Sequence, residues 1–531
     1  MYNKGLFADW VPKPVQLLLI ILYLVALLTV NGVYIGNISY MVGGLGTYNE
    51  WIVFANYALI VGLATALPLA LRFKMRFCVK HTMVRSFLIL ALLSVVIGTT
   101  DNNIVIVAGS FLIGFFKMFA LLEIVLPLLF IMGPNGNRNR FYSLFYLMIL
   151  TINQIAGYYV TRIAFSTFWE NTYYFIAIFM LFCAMLAIVF MHNQRFVRKV
   201  PLYYIDWLGM LIFAIVFISI SYFFAFVKQQ DYFRSNYIIL SMVIAVVGAM
   251  VYLIYQRHKK RIFVNFGSLK QYNVIHGVLL LVTLGFFMAG FSFQSNITIG
   301  ALDYDPVLNN SFNLWMIVGF VAAGIFGVKW IAKGKSVKLY ITSGFMAFVF
   351  YYIFMYFLVA ANVTYEQLII PNIIRGFGMA ILFIGVWAYS LNNLTMEATI
   401  SVAAILLIVR SIIGPGVWGV FFNYANEVYQ LEAINNLTGG MNALDLSQRA
   451  AMGLYKDVRI DAMLIATKRT YGTIILVGMA ALVYTAFHHF EGLSKRKLVL
   501  IMKKLKGQDI DGFVIESELK ENIGAASAAA F

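Results

Sequence analysis

Fourteen long apolar runs alternate with short polar gaps along this chain. They fall near 14–36, 51–71, 82–98, 104–131, 141–165, 171–191 and 205–227, then near 236–256, 274–296, 311–331, 338–361, 366–391, 396–425 and 468–490. A helix needs about 20 apolar residues to cross a bilayer, and each run approaches or exceeds that length. Hydrocarbon offers the backbone no hydrogen-bond partner, so such runs must satisfy themselves as helices. We number them spans 1–14. They predict an all-α integral membrane protein with 14 transmembrane helices. Composition agrees: 62% of residues are hydrophobic, 11% are charged and the mean hydropathy is +0.85. A soluble fold of this length has too little interior to hide that much apolar surface.

The polar gaps assign sides. Every second gap is basic: RFKMRFCVKH (72–81), NRNR (137–140), RFVRK (195–199), RHKKR (257–261) and KWIAKGKSVK (329–338). The tail adds KRK (495–497) and KKLK (503–506). Lys and Arg concentrate on the cytoplasmic side of membrane proteins, which places both termini in the cytoplasm. The gap LNNLT (391–395) is the even gap without a basic residue. A miscount there would put KRK and KKLK outside, against the same rule. The net charge of +17 is then accounted for by loops facing anionic lipid, and no nucleic-acid partner is implied. Residues 494–507 read as a basic amphipathic stretch lying along the inner membrane surface, with the acidic segment 509–521 beyond it.

Span 1 is too long for a cleaved signal peptide and lacks a small-residue cleavage site, so it reads as a retained anchor behind Trp10, Pro12 and Pro14. Cys78 and Cys183 fall in a cytoplasmic gap and in span 6, which excludes a disulfide between them. No His, Cys and carboxylate cluster has metal spacing, and no phosphate-loop fingerprint occurs. Neither a metal nor another cofactor is predicted. The gaps are short except 426–467, read as an extracytoplasmic loop with a loop marker, NNLTGG (435–440), and a capped helical stretch, LDLSQRAAMGLYKDV (444–458). The expected organisation is a six-span half (1–200), an inserted pair of spans 7 and 8 (201–265), a second six-span half (266–492) and a cytoplasmic tail (493–531). Six plus two plus six is the arithmetic of carriers with two pseudo-symmetric halves around a midplane site.

Several stretches also carry a family resemblance. PLALRFKMRF (68–77) resembles the basic loop between the second and third helices of major facilitator transporters. GFFKMFALLEIVLP (114–127) is similar to their Pro-ended fourth helix, and FWENTYYFIAIF (168–179) to the Trp-bearing start of the sixth. IIRGFGMA (373–380), RSIIGPGVWG (410–419) and DAMLIATKRTYGTIILVG (461–478) resemble motifs of helices 12, 13 and 14. Together they resemble the fourteen-helix drug:proton antiporter branch (EmrB/QacA-like) over nearly the whole chain. The resemblance implies the major facilitator fold, a bacterial inner (plasma) membrane, and proton-coupled efflux of amphipathic small molecules by alternating access. Members of that family can work with a periplasmic adaptor protein and an outer-membrane channel, which makes 426–467 a candidate docking surface.

Ionisable residues inside a membrane are costly and mark function by default. Glu123 in span 4 is the acidic residue deepest in a helix. Low dielectric disfavours its charged form, so it is the proton-coupling candidate; the alternative is a salt bridge to a neighbouring helix. Lys117, Arg375 and Arg410 lie near mid-depth in spans 4, 12 and 13. Lys117 and Glu123 are six residues apart and point about 120° away from each other, so each needs a partner elsewhere. The positive excess suits an anionic or zwitterionic substrate; the alternative for the two arginines is bonding to backbone carbonyls near glycines. Asn31 and Tyr34 share a face of span 1, Asn153 and Gln154 a face of span 5, and Gln294 lies toward the outer end of span 9; all five are candidate site lining. Gly414, Pro415 and Gly416 predict a kink in span 13 and a candidate hinge. Arg72, Lys74, Arg76, Lys333 and Lys335 are candidate gating-loop cations. Span 5, TINQIAGYYVTR (151–162), holds one Gly and no Pro. With the positive midplane, this supports a second reading: a lipid or organic-anion carrier, in either direction. A third is a transport-dead sensor or scaffold. An enzyme is the weakest reading, because no Ser/His or His/Asp set gathers near an interface.

Overall fold

The computed structural model describes residues 6–132, 138–193, 205–259, 262–264, 266–360, 362–392, 394–439, 448–488 and 490. The basic stretch 195–199 and the tail 493–531 lie outside them. Contacts divide the chain into Met1–Ala486 and Phe487–Phe531; in the second, the His488 and Phe490 rings meet edge-on at 5.1 Å.

The first unit is a bundle of helices. Span 1 is α1 (Lys13–Gly36), followed by the short α2 (Ile38–Leu45). Spans 2–6 are α3 (Asn49–Arg76), α4 (Val79–Gly98), α5 (Asn103–Met132), α6 (Arg138–Ser166) and α7 (Trp169–Phe190). Spans 7 and 8 are α8 (Trp207–Phe226) and α9 (Asn236–His258). Spans 10–12 are α11 (Pro306–Trp330), α12 (Val337–Leu358) and α13 (Tyr365–Ser390). Two spans are interrupted. Span 9 runs as α10 (Tyr272–Ala289), a 3-10 turn at Gly290–Phe293 and a π turn at Asn296–Ala301. Span 13 runs as α14 (Met396–Ile408), a π turn at Val409–Ile413 and α15 (Gly414–Thr438). Span 14 is α16 (Gln448–Phe487). All fourteen spans are long and apolar enough to cross a membrane. An isolated bridge joins Phe7 to Met191, and Ala8 N–H donates to the Phe190 carbonyl at 2.9 Å. This sets the amino-terminal lead-in beside the end of α7, at the end of the bundle where the even gaps lie.

Helices in lipid gain little from hydrophobic burial against one another, so close van der Waals packing at small residues holds them together. The two sets of six repeat one pattern. α3 packs along α5 as α11 packs along α13, and α1 packs on α6 as α10 packs on span 13. Matching glycines make the closest crossings. A Cβ on Gly114 would sit 1.9 Å from the Leu59 carbonyl oxygen, and one on Gly62 would sit 2.1 Å from that of Phe111. In the other set, a Cβ on Gly376 would sit 2.4 Å from the Met316 oxygen and one on Gly319 2.2 Å from that of Ile373. The sets meet through α6 against α11 and α13, and through α3 against α14. α8 touches both sets, and α9 packs on α8. Trp51 and Phe54 of α3 pack on Phe226 and Tyr222 of α8 at 5.0 and 5.6 Å, while Lys228 pairs with Glu427 of α15 at 3.7 Å.

Two expectations change. Residues 426–467 hold more helix than the stretch expected at 444–458: α15 continues to Thr438 and α16 runs unbroken from Gln448 into span 14, with 440–447 outside the described residues. Polar side chains there satisfy one another across the helix pair. Asn426 donates to Thr470 at 3.1 Å, and Arg469 pairs with Glu432 at 2.7 Å. Hydropathy falls along this stretch although α15 reaches Thr438 and α16 already covers 448–467, which is why its flanks read as loop. Second, Arg72, Lys74 and Arg76 belong to the last turns of α3, where basic side chains suit the negative end of the helix dipole.

Candidate functional site

Each set of six holds a cation that is bound to a side-chain amide of another helix. In the first, Lys117 of α5 is 0% exposed and its Nζ donates to Asn31 Oδ1 of α1 at 2.7 Å. One turn further along α1, Tyr34 hydrogen-bonds Ser110, which lies seven residues before Lys117 and so on the same face of α5. α1 and α5 run in opposite directions, which sets Asn31 against Lys117 and Tyr34 against Ser110. Tyr173 of α7 donates to the Tyr34 oxygen at 3.4 Å.

In the second set, Arg375 of α13 donates from Nη1 to Gln294 Oε1 at 3.2 Å and more weakly to Asn372 Oδ1 at 3.5 Å. Tyr351 of α12 also donates to Gln294 Oε1, at 3.2 Å. The guanidinium lies 4.3 Å from the centre of the Phe291 ring, in cation–π range. Gln294 stands between the 3-10 and π turns that interrupt span 9. The two sets thus match: a cation on span 4 or 12 meets an amide oxygen on span 1 or 9. Side-chain amides, rather than backbone carbonyls near glycines, hold Arg375.

Arg410 lies inside the π turn of span 13. π turns are rare and concentrate at functional positions. Its guanidinium faces the Phe383 and Trp387 rings of α13 at 4.6 and 5.5 Å. Tyr146 of α6 meets the same two rings at 6.2 and 5.9 Å, so this aromatic group joins the two sets. The irregularity in span 13 precedes Gly414-Pro415-Gly416, and Pro415 opens α15. Gly414 and Gly416 serve close packing: a Cβ on Gly285 of α10 would sit 2.4 Å from the Gly414 Cα, and one on Gly416 would strike the Phe224 ring at 2.6 Å.

Glu123 pairs with Lys74, and both side chains are 1% exposed. The two residues lie past the Gly62–Gly114 crossing on helices that run in the same direction. Lys74 is 12 residues beyond Gly62 and Glu123 is 9 beyond Gly114, an offset of about 4.5 Å at 1.5 Å per residue. Helical side chains lean toward the amino terminus, so the long Lys74 chain reaches back across that offset. Glu123 Oε1 is buried without a hydrogen-bond partner. Pro127 has no N–H to offer the Glu123 carbonyl, which loosens the helix at this point.

Other candidates are less connected. Asn153 Oδ1 and Gln154 Oε1 on α6 are buried and bond to nothing in the protein. Lys333 closes a 3-10 turn, and Lys335 stacks over Trp330 at 4.6 Å after Gly334, whose φ of 75° favours glycine. Sequence reasoning passed over Phe291, Tyr351, Phe383, Trp387, Tyr146 and Ser110. For Ser110 and Asn372 the signal was present: seven and three residues before a cation within a span places each on its face. For the aromatic residues no signal separated them from the many others. Among the described residues, ion pairs form at Lys74–Glu123, Lys228–Glu427 and Arg469–Glu432, and no group of three His, Cys, Asp or Glu is placed to hold a metal.

Asn31→Leu is expected to cost about 1–3 kcal/mol of stability, because Lys117 loses its acceptor while staying buried. Asn31→Asp is expected to keep that stability by forming an ion pair. Thermal unfolding of the purified variants checks both.

Comparison of the chain with solved structures shows its fold. It superposes on a proton dependent oligopeptide transporter with TM-score 0.55 at 12% identity, covering 89% of this chain and 98% of that one. The nucleoside transporter NupG matches with TM-score 0.52 at 12% identity, covering 89% and 99%. The human organic anion transporter MFSD10 (TETRAN) matches with TM-score 0.50 at 8% identity, covering 89% and 100%. No protein-family profile and no curated protein matches the sequence. The chain therefore has the fold of major facilitator transporters, with fourteen helices of membrane-spanning length among the described residues. The likeness does not single out the drug branch within that fold.

Proposed function

We propose that this chain, built on the major facilitator fold, is a secondary transporter that moves amphipathic organic anions by alternating access between its six-span halves. One observation carries the reading. Lys117, Arg375 and Arg410 lie within the bundle on amides and aromatic faces, and no described carboxylate pairs with any of them. Uncompensated charge in a membrane is expensive, and an anionic cargo offsets it. Aromatic side chains beside the arginines suit an apolar body attached to that charge. A structural neighbour described as an organic anion transporter fits the same chemistry.

Proton coupling is part of the proposal. Glu123 is the acid placed to take it, because protonation would break its pair with Lys74 and free two packed helices to shift. A neighbour described as proton dependent supports this. The positive-inside pattern supports a cytoplasmic side for the basic end and both termini, and the family resemblance implies a bacterial inner membrane. Outward movement is the direction that the family resemblance implies.

Proteoliposome flux under a pH gradient tests the proposal, with lipophilic anionic and cationic dyes and with wild type against Glu123→Gln. The anionic dye should move with the gradient, and the variant should lose that dependence. Gradient-driven movement of the cationic dye alone would overturn the anion reading. Undiminished coupling in Glu123→Gln would remove Glu123 from the proton path.

A further inference from the structure

We infer that Arg375 and Tyr471 form a carboxylate-binding subsite in the second half of the bundle, selective for a planar carboxylate on a flat apolar body. The inference rests on the anion reading and assigns its recognition to one place. Arg375 is fixed on two sides: Nη1 is engaged by Gln294 and Asn372, and Phe291 lies against the guanidinium plane. Its Nε is buried and donates to nothing in the protein. Three tyrosines belong to the same cluster. Tyr351 donates to Gln294 and Tyr352 to the Phe287 carbonyl, so both hydroxyls are engaged. Tyr471 of α16 packs on Tyr352 at 5.5 Å, is 0% exposed, and its hydroxyl bonds to nothing.

Buried donors without acceptors are rare in folded proteins, and two of them in one aromatic cluster point to an acceptor that the chain does not supply. A guanidinium edge presents parallel N–H groups that match the two oxygens of a carboxylate, whereas a lysine offers a single point charge. The walls are flat rings: Phe291 meets Phe348 at 5.4 Å and Tyr351 at 5.5 Å. These rings meet edge to face, so a flat aromatic body would pack against the cluster rather than between its members. Gln294, at the interrupted part of span 9, ties the subsite to a segment whose backbone is already irregular.

Equilibrium titration of the purified full-length protein in detergent tests this, with benzoate, 2-naphthoate and decanoate each compared with its neutral amide. Wild type should bind the carboxylates over the amides, with the aromatic pair ahead of decanoate. Arg375→Lys keeps the charge but loses the paired donors and should weaken benzoate by about tenfold or more. Tyr471→Phe, nearly isosteric, should weaken it severalfold, and the surface variant Lys228→Gln should match wild type. Gel-filtration profiles confirm that each variant is folded. Benzoate binding that survives Arg375→Lys and Tyr471→Phe but is lost in Arg410→Gln or Lys117→Gln would overturn the subsite and leave the anion reading intact. Wild-type protein that prefers none of the carboxylates over their amides would overturn the subsite too; flux of the anionic dye then decides the anion reading by itself.

Discussion

Glu123→Ala is expected to destabilise the protein by about 3–5 kcal/mol, because it leaves the Lys74 ammonium buried without its carboxylate. The pair lies between α3 and α5 with both side chains 1% exposed. Bringing two charges out of water costs as much as their attraction returns, so the pair adds little net stability while intact. Removing one partner leaves that cost unopposed. The double variant Lys74→Met, Glu123→Leu should therefore recover most of the loss, since two apolar side chains suit the packed crossing. Thermal unfolding in detergent reads the stability. A drop below about 1 kcal/mol for Glu123→Ala would mean that water reaches the pair. The same double variant should transport without responding to a pH gradient if Glu123 carries the proton.

Gly114→Leu should abolish folded protein, and Gly114→Ala should cost about 1–3 kcal/mol through overpacking. The reason is what a Cβ would meet: the Leu59 carbonyl oxygen at 1.9 Å, an atom of the neighbouring backbone that cannot rotate away. Gly376→Ala should behave alike in the second half, where the Met316 backbone stands as close as 2.4 Å. Gly419→Ala is the control, because nothing lies within 4 Å of its added Cβ. Yield and monodispersity after purification separate the cases. Equal losses at Gly114 and Gly419 would show that glycine matters there for backbone freedom and not for helix contact.

The number of spans is legible in the chain's hydropathy, because a bilayer imposes its length on every crossing helix. The sequence carries the alternation of basic gaps, and it marked Glu123, Lys117, Arg375 and Arg410 as costly residues in apolar surroundings. It also showed that Lys117 and Glu123 face different ways and need separate partners. Which residues those partners are depends on how the helices pack. Asn31 meets Lys117, Gln294 meets Arg375 and Lys74 meets Glu123 across helices that are 49 to 86 residues apart in sequence. Nothing local specifies such pairs; they follow from which helix faces glycine lets approach. Lys74 read as a loop cation because hydropathy falls where α3 nears its end, while its burial depends on α5 lying alongside. The flanks of the helical stretch within 426–467 read as loop for a similar reason. Their polar side chains are satisfied by a facing helix, and hydropathy records the polarity but not the partner.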